Sequence, residues 1–187
     1  MSTPRIEPGT RRDVGLLVAG FARLAGRVTG TEPPAVFLTL GRQRRLFWGW
    51  LHFAGTLMPG GRLPRREAEL VILRVATRCG SEYELTQHRR LGRRAGLSAE
   101  EVERAQQPEL SGWSGPDDLL LRAVDELHET RDLGDEVWAD LRASYDEATL
   151  VELVMLVGHY EMLATTLGTL RVQPDRPRSR AGSRVGS

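Results

Sequence analysis

Glu84 and His88 stand one helical turn apart, at i and i+4, in the segment Arg78-Cys79-Gly80-Ser81-Glu82-Tyr83-Glu84-Leu85-Thr86-Gln87-His88. On a helix they share a face, so a carboxylate and an imidazole so placed can share a proton, the least equipment acid/base catalysis needs. Leu91 and Ala95 continue the stripe, which turns the pair inward and predicts that the two side chains partner each other. The carboxylate then favours imidazolium while burial opposes it, leaving a group that titrates near neutrality. The same residues also read as a capping box begun by Ser81 and closed by Glu84, with His88 bonded to a neighbouring helix.

Glu69 is the second candidate. At 100° per residue it lies within about 80° of Ile72, Leu73, Ala76 and Cys79, on or beside an apolar helix face. Buried and unpaired it would be a neutral acid and a proton donor; at the edge of that face it would reach water or an arginine. Glu84 and His88 supply only two metal ligands, and His52, His128 and His159 fall in no ligand spacing with them, so a metal site is not favoured. Phe37, Phe47, Trp48, Trp50 and Phe53 place five of the eleven aromatics within 17 positions, as core or as the wall of an apolar pocket. His159 and Glu161 interrupt an apolar helix, and His159 is either a satisfied structural histidine or a pocket residue.

The elements that must position these groups are all helical, because apolar residues recur at helical intervals and strand-like alternation is absent. Helices are expected over 11–26, in one or two pieces between the prolines at 33 and 34 and Met58, and from Pro64 to about Cys79, after the break at Pro59-Gly60-Gly61. Another runs from Ser81 to Ala95 with Gly96 as its stop, and Ser98 with Glu101 repeats the capping-box signature for the next. Beyond a loop around 108–117, helices follow near Leu120 to Leu127 and from Asp135 to about Tyr145. Residues 146–170 are apolar nearly all round, which predicts a central, buried helix.

The chain has 187 residues, 40% apolar and 27% charged, enough for one domain with a real core, expected over residues 1–170. Residues 171–187 hold five arginines against one aspartate; this Pro, Gly, Ser and Arg-rich end predicts a solvated, disordered tail. Net charge is +1 overall, so the body is acidic and no nucleic-acid partner is expected. All 26 basic side chains are arginine, which excludes a Schiff-base lysine and a P-loop. One cysteine makes no internal disulfide, the N-terminus has no apolar signal core, and no uncharged apolar run reaches a membrane span, so a cytoplasmic protein is expected.

Arg65-Arg66-Glu67-Ala68-Glu69-Leu70-Val71-Ile72-Leu73-Arg74-Val75-Ala76, then Cys79 to His88, then Ala95-Gly96-Leu97-Ser98, resemble the carboxymuconolactone decarboxylase family and its alkylhydroperoxidase (AhpD-like) relatives. The resemblance spans about residues 35–170 and is most specific over 63–104. It implies a compact all-helical bundle assembled as a homo-oligomer (dimer, trimer or hexamer) with sites near subunit contacts. In the peroxidase branch a helix glutamate precedes a CxxC whose second cysteine lies four residues before a histidine. Anchored on His88, the resemblance puts Glu84 at the second cysteine, Ser81 at the first, Tyr83 at a proton-relay position and Glu69 at the helix glutamate. Both cysteines are therefore absent, and disulfide-cycling peroxidase chemistry is not expected. Glu69, Glu84 and His88 remain as an acid/base set, and the resemblance implies cofactor-independent decarboxylation, isomerisation or related lyase chemistry on a small organic acid, lactone or secondary-metabolite intermediate, with His88 moving a proton, Glu84 orienting its ring and Glu69 supplying or holding a second proton. Arg74 is the candidate for holding a substrate carboxylate; Tyr83, Ser81, Trp48, Trp50, His52 and His159 are the candidate pocket residues. The alternatives are a single-cysteine reductase or peroxidase using Cys79, and a non-catalytic ligand-binding oligomer.

Overall fold

The computed structural model describes residues 3–178. Among them are nine helices and no strand: α1 Arg11–Thr29, α2 Ala35–Leu40, α3 Arg44–Leu57, α4 Arg65–Arg78, α5 Glu82–Ala95, α6 Ala99–Arg104, α7 Gly115–Thr130, α8 Asp135–Ser144 and α9 Glu147–Leu170. The all-α expectation holds, and the breaks fall where proline and glycine put them. Pro64 is the N-cap residue of α4, and Gly96, at φ +108, stops α5 in the left-handed region that glycine adopts without strain.

The chain divides into two compact units, residues 1–51 with 170–187, and residues 52–169. In the first, Val14, Val18, Ala19 and Phe47 form a core against which Phe21, Phe37 and Trp50 pack. The rings meet edge-on or tilted, with Phe47 5.1 Å from Trp48 and 6.1 Å from Trp50. Trp50 thus packs on the core of this unit, whereas Trp48, though edge-on to Phe21 and Phe47, is exposed. Residues 175–178, within the tail that composition predicts to be solvated and disordered, pair with this unit while Arg176, Pro177 and Arg178 stay exposed. The Glu32 N–H donates to the Arg176 carbonyl at 3.0 Å, the Arg178 N–H to the Gly30 carbonyl at 3.1 Å, and the Ala35 N–H to the Asp175 carboxylate at 2.8 Å. Backbone pairing and a capped helix start outweigh the polarity of residues 175–178; residues 179–187, the rest of the expected tail, lie outside the described residues.

In the second unit α4 is buried all round from Ala68 to Ala76, wider than the single apolar face its sequence suggests. Leu70, Leu73 and Ala76 meet Leu85 of α5, Leu97 and Val102. A β-carbon on Gly92 of α5 would lie 2.9 Å from Leu97 and 3.3 Å from Leu73. Glycine there lets α5 approach α4 closely, one turn beyond His88. The α9 helix is long and apolar enough by length and composition to cross a membrane, and half of its most apolar window is buried. Leu153, Leu156, Val157, Tyr160 and Leu163 point inward, while Val151, Val154, Met155 and Met162 remain exposed, so the helix is not enclosed on every side as its composition predicts.

Candidate functional site

Helix α4 carries a carboxylate through the core, and that forces a network. Glu69 is 0% exposed, and a buried carboxylate is tolerable only when paired and hydrogen-bonded. Its Oε1 accepts from Arg65 Nη2 at 2.7 Å, one turn back on α4, and its Oε2 meets His88 Nδ1 of α5 at 2.7 Å. Arg65 is the solvent-side member of this chain, with its side chain 42% exposed. A carboxylate only accepts, so an ionised Glu69 accepts from the Nδ1–H of His88 and leaves Nε2 outside this contact. His88 is fixed further by the Tyr160 ring, edge-on at 5.2 Å.

The expected partnership of Glu84 with His88 is not formed. The inward stripe on α5 does contain Glu84 and His88, and it continues through Gly92 rather than Leu91. His88, however, turns to Glu69 across the helix interface, where a partner already exists. Glu84 is 2% exposed, and neither of its carboxylate oxygens has a hydrogen bond. The Ser81 hydroxyl lies close enough to favour the charged form slightly, but burial dominates and pushes the Glu84 carboxyl up to about 7. The expected Ser81 capping box is also absent. The backbone N–H of Ser81 donates instead to the Ala76 carbonyl at 2.8 Å, closing the end of α4 around Gly80 at φ +62. With that N–H occupied, Glu84 has no backbone group to cap and turns inward.

Arg74 does not belong to a substrate pocket. It is 0% exposed, and all five of its N–H groups are used. Nε and Nη2 grip the Asp125 carboxylate at 2.7 and 2.5 Å, Nη1 donates to the carbonyls of Ala105 and Gln107 at 3.3 and 2.5 Å, and Nη2 to that of Pro108 at 3.1 Å. A saturated, buried guanidinium locks the 105–108 turn to α4 and α7 and has no donor left for a ligand. Tyr83 and Ser81 are buried beside Glu84 on α5 and its N-cap, whereas His52 is exposed. His159 is buried against Phe53 and Tyr160, with ring centroids 5.3 and 5.2 Å away, and burial lowers its pKa to about 4, so it is neutral. Two site residues escape the sequence reading. Tyr160, whose ionisation burial opposes first and Glu69 and Glu84 oppose next, comes from a helix that periodicity reads only as core. Arg65 could have been found, because it sits at i−4 from Glu69.

A buried glutamate–histidine pair and a second buried carboxyl at about 7 thus sit within one all-helical frame. Residues 44–113 match the profile of the carboxymuconolactone decarboxylase family, and the chain shares the AhpD-like fold. An uncharacterized peroxidase-related protein from Ralstonia eutropha JMP134, with an alkylhydroperoxidase AhpD core, superposes with a TM-score of 0.78 at 14% identity, over 92% of this chain and 94% of its own. A peroxidase-related protein from Silicibacter sp. TM1040 gives 0.76 at 13% identity, over 93% and 90%. The debrominase Bmp8 gives 0.71 at 16% identity, over 90% and 91%, and a cysteine-to-alanine variant of it is known with 2,3,4-tribromopyrrole bound. At these identities the likeness is one of fold. No curated protein sequence matches the chain significantly.

Proposed function

We propose that this chain is a cofactor-independent enzyme that moves protons on a small organic acid, lactone or secondary-metabolite intermediate, by decarboxylation, isomerisation or a related lyase step. The observation that carries the reading is Glu84: 2% exposed, with only the Ser81 hydroxyl near its carboxyl group, and with a pKa raised to about 7. A carboxyl near half-protonation at neutral pH is matched to general acid work. His88 is the base, held by Glu69 so that Nε2 faces the reaction. The roles of the two carboxylates are thus exchanged relative to the expectation from sequence, with Glu69 orienting the imidazole and Glu84 supplying the proton. In a decarboxylation the C–CO2 bond breaks, CO2 leaves, and the carbanion takes the Glu84 proton, which solvent restores. In an isomerisation His88 removes a proton from carbon and Glu84 delivers one to the new position.

Cys79 adds no nucleophile to this scheme. Burial first, then the charges of Glu161 and Glu84, push its thiol up to about 11, whereas a peroxidatic cysteine needs its thiolate. The complex of Bmp8 with a small heteroaromatic ring supports a substrate of that size for this fold. The proposal includes self-association, supported by the exposed stripe Val151, Val154, Met155 and Met162 on α9.

The test is turnover of carboxymuconolactone and a panel of related lactone acids, read as CO2 release and as solvent deuterium incorporated into substrate or product. Glu84→Gln and His88→Ala each lower turnover by about 100-fold or more while circular dichroism stays native. Wild-type turnover in both variants would sink the assignment.

A further inference from the structure

Three helices of the second unit bring a thiol, an imidazole and a carboxylate together away from the Glu69–His88 pair. Cys79 is the C-cap residue of α4, His128 lies in the last turn of α7, and Glu161 lies in α9. Their donor atoms all fall within 4.8 Å of one another. Cys79 Sγ is 4.0 Å from His128 Nδ1, which is 2.8 Å from Glu161 Oε1. The other carboxylate oxygen of Glu161 accepts from Arg131. All three side chains are half-buried and line one open cavity of about 440 Å³.

We propose that Cys79 Sγ, His128 Nδ1 and Glu161 Oε1 form a binding site for a zinc-like divalent cation, with the fourth coordination position open to the cavity. Sequence spacing argues against a metal in this chain, because the three ligands come from separate helices and no local ligand pattern announces them. Sulfur, imidazole nitrogen and carboxylate oxygen are the donors of tetrahedral zinc, and three protein ligands with one open position is the arrangement that leaves room for water or a ligand. Bond lengths of about 2.0 to 2.3 Å space tetrahedral ligands about 3.5 Å apart. The sulfur–nitrogen gap therefore has to close by about half an ångström, the sulfur–carboxylate gap by up to about 1.3 Å from at most 4.8 Å, and the histidine–glutamate hydrogen bond has to open by about half an ångström. Side-chain rotations suffice, since the three helices already set the donors.

The electrostatics favour a cation over a reactive thiolate. Helices α4 and α7 both point their C-terminal, partly negative ends at this place. Burial first, then the charges of Glu161 and Glu84, push the Cys79 thiol up to about 11, so the free protein carries a thiol rather than a nucleophile. A divalent ion inverts that balance. It binds the thiolate, expels one proton to solvent, and is neutralised by the sulfur and Glu161. Arg131 stays on the outer oxygen of Glu161, and Arg78 is engaged by Glu129 and lies 3.6 Å from Asp125, so neither guanidinium has to be displaced.

Because the chain has one cysteine, cobalt reports on this site alone. Metal-stripped full-length protein titrated with Co2+ should develop a thiolate-to-cobalt charge-transfer band that saturates at one ion per chain and is bleached by Zn2+. Cys79→Ser should abolish the band, and His128→Ala should weaken Co2+ binding by about 10-fold or more. Absence of the band in the wild type, or unchanged affinity in His128→Ala, overturns the site. Should a variant fail to fold, the wild-type titration decides alone: a saturable band supports the site and its absence refutes it.

Discussion

Helices α5 and α6 both begin with serine followed three residues later by glutamate, Ser81 to Glu84 and Ser98 to Glu101, and the two glutamates end in opposite states. At α6 the box closes: the Ser98 N–H donates to Glu101 Oε2 at 2.6 Å, and the Glu101 N–H to Ser98 Oγ at 3.0 Å. The Ser98 N–H chiefly, and Arg66 at 2.5 Å on the other oxygen, hold the Glu101 carboxyl below its usual range. At α5 the corresponding N–H is already bonded to Ala76, and the glutamate goes inward and is pushed up to about 7. One hydrogen bond, spent on the C-terminus of the preceding helix, thus separates a surface cap from an ionisable group in the core. A four-residue signature specifies a cap only where its backbone donor is free.

The difference is largest in how stability responds to pH. Glu84 has a folded pKa of about 7 against an ordinary value of 4.5, so the folded protein binds its proton more tightly than the unfolded chain does. Stability is therefore fully present below about 4.5 and falls as pH rises through about 7. The loss between pH 4 and 8 amounts to about 3 kcal/mol. Glu84→Gln should remove it, so that urea unfolding shows the variant gaining about 3 kcal/mol on the wild type over that range. Glu101→Gln should do the reverse, losing stability relative to the wild type as pH rises through the carboxylate range. A flat Glu84→Gln minus wild-type difference would mean that Glu84 is not protonated in the core.

How much of this was legible follows the range of the interactions. The helices, the break before Pro64 and the stop at Gly96 depend on neighbours within one turn, and the sequence carries them. The burial of Glu84 and His88 is also legible, since it follows from the stripe they share. Their partners are not. His88 reaches 19 residues back to Glu69, Arg74 finds Asp125 51 residues on, and Cys79 meets His128 49 residues on. Each partner is chosen by how α4 packs against α5, α7 and α9, which helical periodicity alone does not encode. Arg74 shows the hazard most plainly, because an arginine near a site suggests an anion ligand until the carbonyls of residues 105–108 are seen to consume its donors.

The device that diverts Ser81 can be attacked directly. Gly80→Ala forces a β-carbon into φ +62 and should cost about 1 to 2 kcal/mol, read as a lowered urea midpoint. If the turn opens to relieve the strain, the Ser81 N–H is freed to be capped by Glu84, whose pKa should then fall. A Gly80→Ala protein with an unaltered Glu84 titration, followed by carboxyl NMR, would show that the turn does not control the carboxylate. The smallest effect separates the two serines themselves. Ser98→Ala removes a formed cap and should cost about 1 kcal/mol. Ser81→Ala removes a hydroxyl that caps nothing, so at pH 5, where Glu84 is mostly protonated, its cost should be a few tenths of that. Above pH 7 the Ser81 hydroxyl is one of the few groups favouring ionised Glu84, so the cost of Ser81→Ala should grow with pH while that of Ser98→Ala does not. Equal costs for the two serines at both pH values would erase the distinction between the helix starts, because it would mean that Ser81 caps α5 after all.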